Sequence, residues 1–344
     1  MALNEGDLIH SRYRLLRLIG AGTSGAVWAA KNELIEREVA LKILDPEVTR
    51  DKVLLTRFFN EAKAIGRVRH PSIVGIFDLG QAEDGSPFLV LELLDGEPLA
   101  TLIQRDGSVE PETLLDVCSG VARALDLAHQ QGIVHRDMKP ANIFLHRTVP
   151  TGLLGKILDF GISKVLTSNT TNFALTKTGT VLGSPAYMSP EQAAGRDDLD
   201  GRADVWSLGI VMYEALTGKL PHEAPNYNAL MVRILTQDAP RIETRRPELS
   251  ADVCGIVNAC LRRNRDKRPT AGQLSALLEA ATRALRAERF AKTGGRRRED
   301  ASPDESSFAL ATKRELNRYA VVGMLAGLAA GGVLGATLAY VFMR

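Results

Sequence analysis

Up to Leu94 the chain alternates short apolar runs with glycine-rich or charged breaks. The runs YRLLRLI (13–19), 27–30 and REVALKIL (37–44) predict strands of a small antiparallel sheet. Two more strands are expected at 74–79 and 87–93. Over 51–68 the period changes, and Phe58, Ala62 and Ile65 fall on one face of a helix. Beyond Asp95-Gly96 the pattern is mainly helical, with helices expected at 111–131, 203–217, 227–236, 251–262 and 271–289. Pro111-Glu112 makes a good first turn for the earliest of these, and Gly132 lies at its end. The stretch KTGGRRREDASPDESS, from Lys292 to Ser307, is rich in glycine, serine and charge and poor in large apolar residues, the pattern of a flexible linker.

The last apolar run differs from all the others. From Tyr319 to Met343 there is no charged residue, and about 20 apolar residues suffice to cross a bilayer as a helix. Lys313, Arg314 and Arg318 precede the run and only Arg344 follows it, a bias that puts the N-terminal side in the cytoplasm. With Arg344 alone beyond the run, no external sensor domain is expected. Gly323, Gly327, Gly331 and Gly335 recur at every fourth position. Such a stripe lets two membrane helices approach closely and form a homodimer, or it reflects only the Gly/Ala-rich composition of the run.

Three constellations carry candidate chemistry. In IGAGTSGAV, Gly20, Gly22 and Gly25 lie between two expected strands, where a missing Cβ lets backbone N–H groups approach phosphate oxygens. A plain glycine-rich hairpin has the same pattern. Lys42 sits in the strand VALK, and Glu61 lies on the expected helix of 51–68, so that glutamate is able to hold the lysine against a nucleotide's phosphates. Each alone also reads as a solvated charge. The most specific set is HRDMKPAN, with His135, Arg136, Asp137, Lys139 and Asn142, followed by Asp159-Phe160-Gly161. Phosphoryl transfer needs carboxylate and amide oxygens for magnesium, a base for the incoming hydroxyl and cations against the γ-phosphate. Asp137, Lys139, Asn142 and Asp159 supply those parts.

In these motifs, and in their order, the chain resembles the bacterial eukaryotic-like (Hanks-type) serine/threonine protein kinases, over roughly residues 8–290. The resemblance implies an α+β, bilobal protein kinase fold. A small β-rich N-lobe with one key helix would span about 8–93, and a larger, mostly helical C-lobe about 95–290, followed by the linker at 291–318 and a single C-terminal transmembrane helix at 319–343. It implies ATP as substrate with Mg²⁺, for which Mn²⁺ is able to substitute. Ile19, Gly20, Gly22, Gly25, Val27, Ala40, Lys42, Glu61, Glu92 and Leu94 would bind the nucleotide, with Lys42 paired to Glu61 and Leu91 at the gatekeeper position. Asp137 would take the hydroxyl proton, Lys139 would steady the γ-phosphate, and Asn142 and Asp159 would hold the metal. By the same resemblance Glu191 would pair with Arg268 and Asp204 would anchor the catalytic loop. Thr176, Thr178 and Thr180, in a Ser/Thr-rich segment after the DFG motif, would be regulatory phosphosites read by Arg136. Thr23-Ser24 at the glycine-loop tip and Ser189 in Ser-Pro-Glu depart from the common pattern without touching nucleotide or metal residues.

Composition narrows this only slightly. A net charge of +2 gives no case for a nucleic-acid partner. Three cysteines without CxxC spacing suggest neither a disulfide framework nor a zinc site and fit a reducing compartment. The expected partners are protein substrates and a cell membrane, crossed once with the kinase domain cytoplasmic. A kinase fold acting on a small molecule is disfavoured by GSPAYMSPE, which resembles a platform for protein substrates. A membrane-tethered scaffold of pseudokinase type is disfavoured by the intact Lys42, Asp137 and Asp159.

Overall fold

A computed structural model describes residues 3–22, 25–45, 52–148, 152–160 and 184–299. Met1–Arg286 forms one compact unit and Ala287–Arg344 a second, of which only residues up to Glu299 are described.

The N-terminal part of the first unit is a sheet of six antiparallel strands: β1 (Leu8–Ile9), β2 (Tyr13–Gly22), β3 (Gly25–Asn32), β4 (Arg37–Leu44), β5 (Ile76–Gln81) and β6 (Pro87–Leu91), in the order β1-β2-β3-β4-β6-β5. Its inward residues Tyr13, Leu15, Trp28, Ala30, Val39, Leu41, Ile43, Phe88 and Val90 are buried together. The helix α1 (Lys52–Gly66) buries the face its spacing predicts, with Phe58, Ala62 and Ile65 in the core. β6 stops at Leu91, short of the expected residue 93, and just beyond it the Glu92 N–H donates to the Gly75 carbonyl at 2.8 Å.

The C-terminal part is helical around a short second sheet of β7 (Gly96–Pro98), β8 (Ile143–Thr148) and β9 (Gly152–Ile157), in the order β7-β8-β9. Its helices are α2 (Leu99–Asp106), α3 (Pro111–Gln130), α4 (Pro190–Ala193), α5 (Arg202–Thr217), α6 (Tyr227–Thr236), α7 (Ala251–Cys260) and α8 (Ala271–Glu299). Local chemistry starts several of them. Glu110 accepts from the Thr113 N–H ahead of α3, and Asn226 and Ser250 cap α6 and α7 in the same way. α5 is apolar on nearly every side and buried from Ala203 to Tyr213, as expected of a helix at the centre of a domain.

One boundary differs from expectation. α8 continues to Glu299, into the stretch read as linker. Arg and Glu are good helix formers, and the next proline is Pro303. Among the described residues no helix is long and apolar enough to cross a membrane. The run Tyr319–Met343 and its four glycines lie outside the described residues.

Candidate active site

The site lies where the larger sheet meets the loops around β8 and β9. β2 and β3 pair through Gly22↔Gly25 and Gly20↔Val27, and Thr23 and Ser24 between them lie outside the described residues. Gly25 has φ +130°, and a Cβ there would lie 2.1 Å from the Ile43 carbonyl, so only glycine fits. At Gly20 and Gly22 a Cβ would meet nothing within 4 Å, so both backbones border open space. Below this loop Val27 pairs with Lys42, and Ala40 with Leu91. Ile19 is exposed on β2, and Leu94 follows Glu92 in the strap that joins β6 to β7.

Lys42 is buried, and its Nζ lies 2.5 Å from Asp159 Oδ1. The expected Lys42–Glu61 pair is not formed. The carboxylate within reach of Lys42 is Asp159, while the cation acting on Glu61 is Arg136. Burial pushes the Glu61 carboxyl above the usual range, with Arg136 pulling it the other way.

The catalytic loop is held from beneath by Asp204. This fully buried carboxylate accepts the backbone N–H groups of His135 (2.8 Å) and Arg136 (2.7 Å) and lies 2.8 Å from His129 Nε2. Burial alone would raise the Asp204 pKa, but the His129 contact and the neighbouring His135 hold it low. His135 is itself buried, and burial lowers its pKa. In the neutral tautomer its Nε2–H donates to the Leu158 carbonyl at 3.0 Å, while Nδ1 accepts the Asp137 N–H at 3.2 Å. Phe160 packs on the same ring at 4.8 Å. Arg136 and Asp159 both have positive φ, 64° and 49°. Such backbone strain clusters at functional sites.

Three of the candidate residues bond one another. Lys139 Nζ donates to Asp137 Oδ2 at 2.8 Å, and Asn142 Nδ2 donates to the Asp137 carbonyl (2.7 Å) and to Oδ2 (3.3 Å). Asn142 immediately precedes β8 and Asp159 follows β9 closely. These strands pair through Ile143↔Ile157, and the Leu158 N–H donates to the Asn142 carbonyl at 2.8 Å. Asn142 and Asp159 therefore stand at adjoining strand ends. Among the described residues no group of three or more His, Cys, Asp or Glu side chains is placed to hold a metal. One carboxylate and one amide oxygen fit magnesium, which usually keeps several waters and shares its remaining ligands with phosphates. Gly161 and residues 162–183, with Thr176, Thr178 and Thr180, lie outside the described residues.

Beyond that segment Glu191 and Arg268 pair as the resemblance implied. Glu191 receives two bonds from Arg268, at 2.6 and 2.8 Å, both side chains being buried. Burial would raise the Glu191 carboxyl, and Arg268 instead keeps it below the usual range. Three contributors escaped the sequence pattern: His129, Gln192, whose Nε2 donates to the Arg136 carbonyl at 2.9 Å, and Lys156. For Lys156 the available signal was a lone cation within the apolar run GLLGKIL.

A protein kinase domain model matches residues 13–277, and the chain belongs to the protein kinase family. It is 35% identical over 315 residues to the serine/threonine-protein kinase pkn3 of Myxococcus xanthus, covering 91% of this chain and 56% of that protein. It is 35% identical to PknB of Mycobacterium leprae (78% of this chain, 42% of that protein) and 36% identical to PknA of Mycobacterium tuberculosis (83% and 64%). The chain thus spans less than two thirds of the length of each of these relatives. The crystal structure of the M. tuberculosis PknI kinase domain matches with a TM-score of 0.62 and 25% identity, covering 81% of this chain and 99% of that one. The fold is the bilobal protein kinase fold, with a β-rich N-lobe and a helical C-lobe, and the family implies ATP and a divalent metal.

Proposed function

We propose that the protein is a serine/threonine protein kinase that transfers the γ-phosphate of Mg-ATP to Ser and Thr hydroxyls of other proteins. The observation that carries this reading is the bonded cluster of Asp137, Lys139 and Asn142, with Asp159 at the adjoining strand end. Asp137 orients the acceptor hydroxyl and takes its proton. Lys139, bonded to that carboxylate, holds positive charge beside the phosphate in flight. Lys42 steadies the α- and β-phosphates beneath Gly20, Gly22 and Gly25, and the backbone from Glu92 to Leu94 meets the adenine, with Val27 and Ala40 lining its pocket. Magnesium, where bound, offsets the phosphate charge, and Asn142 and Asp159 are the residues to hold it. The test is incubation of the purified full chain with γ-labelled ATP, Mg²⁺ and an acceptor protein, followed by acid hydrolysis. Label on serine and threonine is expected, and label confined to tyrosine or to a small molecule contradicts the reading.

Phosphorylation of the segment after the DFG motif is proposed to switch the enzyme on. A phosphate at Thr176 or Thr178, with Thr180 close behind, adds about −2 charge for Arg136 to bind. Replacing both Thr176 and Thr178 by Ala is expected to cut activity at least tenfold by roughly the scale of such couplings. Equal turnover of untreated and phosphatase-treated wild type would contradict this.

The run Tyr319–Met343 is proposed to anchor the chain in the cell membrane as a single pass, with the kinase domain in the cytoplasm. The absence of charge from the run and the cations before it support that placement. In cell fractions the full chain is expected in carbonate-resistant membranes and a chain ending at Arg318 in the supernatant. The stripe Gly323, Gly327, Gly331 and Gly335 is proposed to pair two such helices, which favours phosphorylation in trans. Gly327→Ile with Gly331→Ile is then expected to lower the dimer signal in a membrane two-hybrid assay, and an unchanged signal removes the proposal.

A further inference from the structure

We propose that Lys156 is a positioning residue for nucleotide binding, acting through Glu92, an inference that rests on the kinase reading. Lys156 is 6% exposed, and its ammonium lies 2.7 Å from Glu92 Oε2. The same oxygen accepts the Gly75 N–H at 3.2 Å, and the Gly75 carbonyl accepts the Glu92 N–H at 2.8 Å. Glu92 is therefore gripped on two sides, by the segment before β5 and by β9. That segment is in turn stitched to β9. The Ile157 N–H donates to the Ser72 carbonyl at 2.8 Å, and the Val74 N–H donates to the Ile157 carbonyl at 3.1 Å.

The position of this pair in the chain gives it a function. Glu92 is the first residue after β6, at the head of the strap whose backbone meets adenine, and Lys156 stands three positions before Asp159. One ion pair, with its lysine buried and its glutamate half-buried, thus ties the adenine-binding strap to the strand that delivers the metal-binding carboxylate. A lysine ammonium in a buried setting needs a charged acceptor, and removing one member leaves the other uncompensated. Without Lys156, Glu92 keeps only neutral N–H contacts, and the strap loses its fixed position relative to Asp159. The adenine contacts weaken. Asp137 and Lys139, bonded to each other and to Asn142, keep their geometry, so the transfer step is spared.

The experiment compares full-length wild type with Lys156→Met, Lys156→Arg and Glu92→Gln. Its readouts are steady-state kinetics in ATP, steady-state kinetics in the acceptor protein, and equilibrium binding of a fluorescent ATP analogue. Lys156→Met is expected to raise the KM for ATP roughly 5- to 50-fold with kcat within about threefold and the acceptor KM unchanged. The analogue's Kd should rise in parallel, and Lys156→Arg should restore most of the loss. Glu92→Gln keeps the side-chain shape and is expected to shift the ATP KM in the same direction, which gives a second route if Lys156→Met does not fold. An ATP KM and analogue Kd unchanged in Lys156→Met, or in Glu92→Gln if that is the variant that folds, overturn the proposal, whatever happens to thermal stability. A fall in kcat with the ATP KM unchanged overturns it as well. Wild type that neither binds the analogue nor transfers phosphate would instead sink the kinase reading itself.

Discussion

Asp137→Asn is expected to lower kcat for phosphate transfer about a thousandfold while leaving the KM for ATP within about threefold, the signature of losing a group used in the transition state. Asn has nearly the volume of Asp, and its side-chain oxygen is still able to accept from Lys139 or Asn142, so the loop keeps its shape. It has no carboxylate to take the hydroxyl proton. The position is well chosen for that role. Asp137 Oδ2 lies 2.8 Å from Lys139 Nζ and 3.3 Å from Asn142 Nδ2, and the backbone N–H of Asp137 is tied to His135. Single-turnover assays at saturating ATP read the effect directly. A drop of less than about tenfold would remove Asp137 from the role of base.

Arg268→Ala is expected to produce the largest loss of stability of any single substitution considered. Both Arg268 and Glu191 are buried, and breaking a buried pair from one side costs about 3–5 kcal/mol because the other charge is left unpaired. Arg268 also donates to the carbonyls of Arg262 (2.7 Å), Arg202 (3.0 Å) and Arg263 (3.0 Å), and its guanidinium lies 5.0 Å from the Trp206 ring centroid. The midpoint of thermal unfolding should fall by roughly 6–20 °C, at about 2–4 °C per kcal/mol for a chain of this size class. The double variant Glu191→Ala with Arg268→Ala should lose less than the sum of the two single losses, since it removes both charges. Additive losses would show that the pair does not act as a unit.

The extent to which the sequence foretold these features follows from how local each signal is. Five strands of the larger sheet, all but the two-residue β1, and the apolar face of α1 were legible because alternation and the 3.6-residue period are short-range patterns. Asp137, Lys139 and Asn142 were legible because the loop that carries them is eight residues of one motif, HRDMKPAN. β7 and α2 were not, since three- and eight-residue elements carry too few positions to show a period. The partner of Lys42 was also out of reach. Sequence paired Lys42 with Glu61, whereas in the fold Lys42 Nζ lies 2.5 Å from Asp159 Oδ1 and Glu61 lies in the field of Arg136. Lys156 and His129 belong to the same class. Each matters through a partner 64 or 75 positions away, Glu92 or Asp204, and no periodicity reports such a pairing. The end of α8 was misread for a different reason, because glycine and charge were weighted as linker signals above the helix-forming tendency of the arginines.

Calorimetric titration of ATP into the full chain, with and without Mg²⁺, tests most directly whether Asn142 and Asp159 hold a metal-bound nucleotide beneath the glycine loop. Wild type should bind ATP markedly more tightly with Mg²⁺ present, and Asp159→Asn should lose most of that difference while still binding ATP alone. Equal affinity of wild type for ATP with and without the metal would contradict the arrangement of the site proposed for this chain.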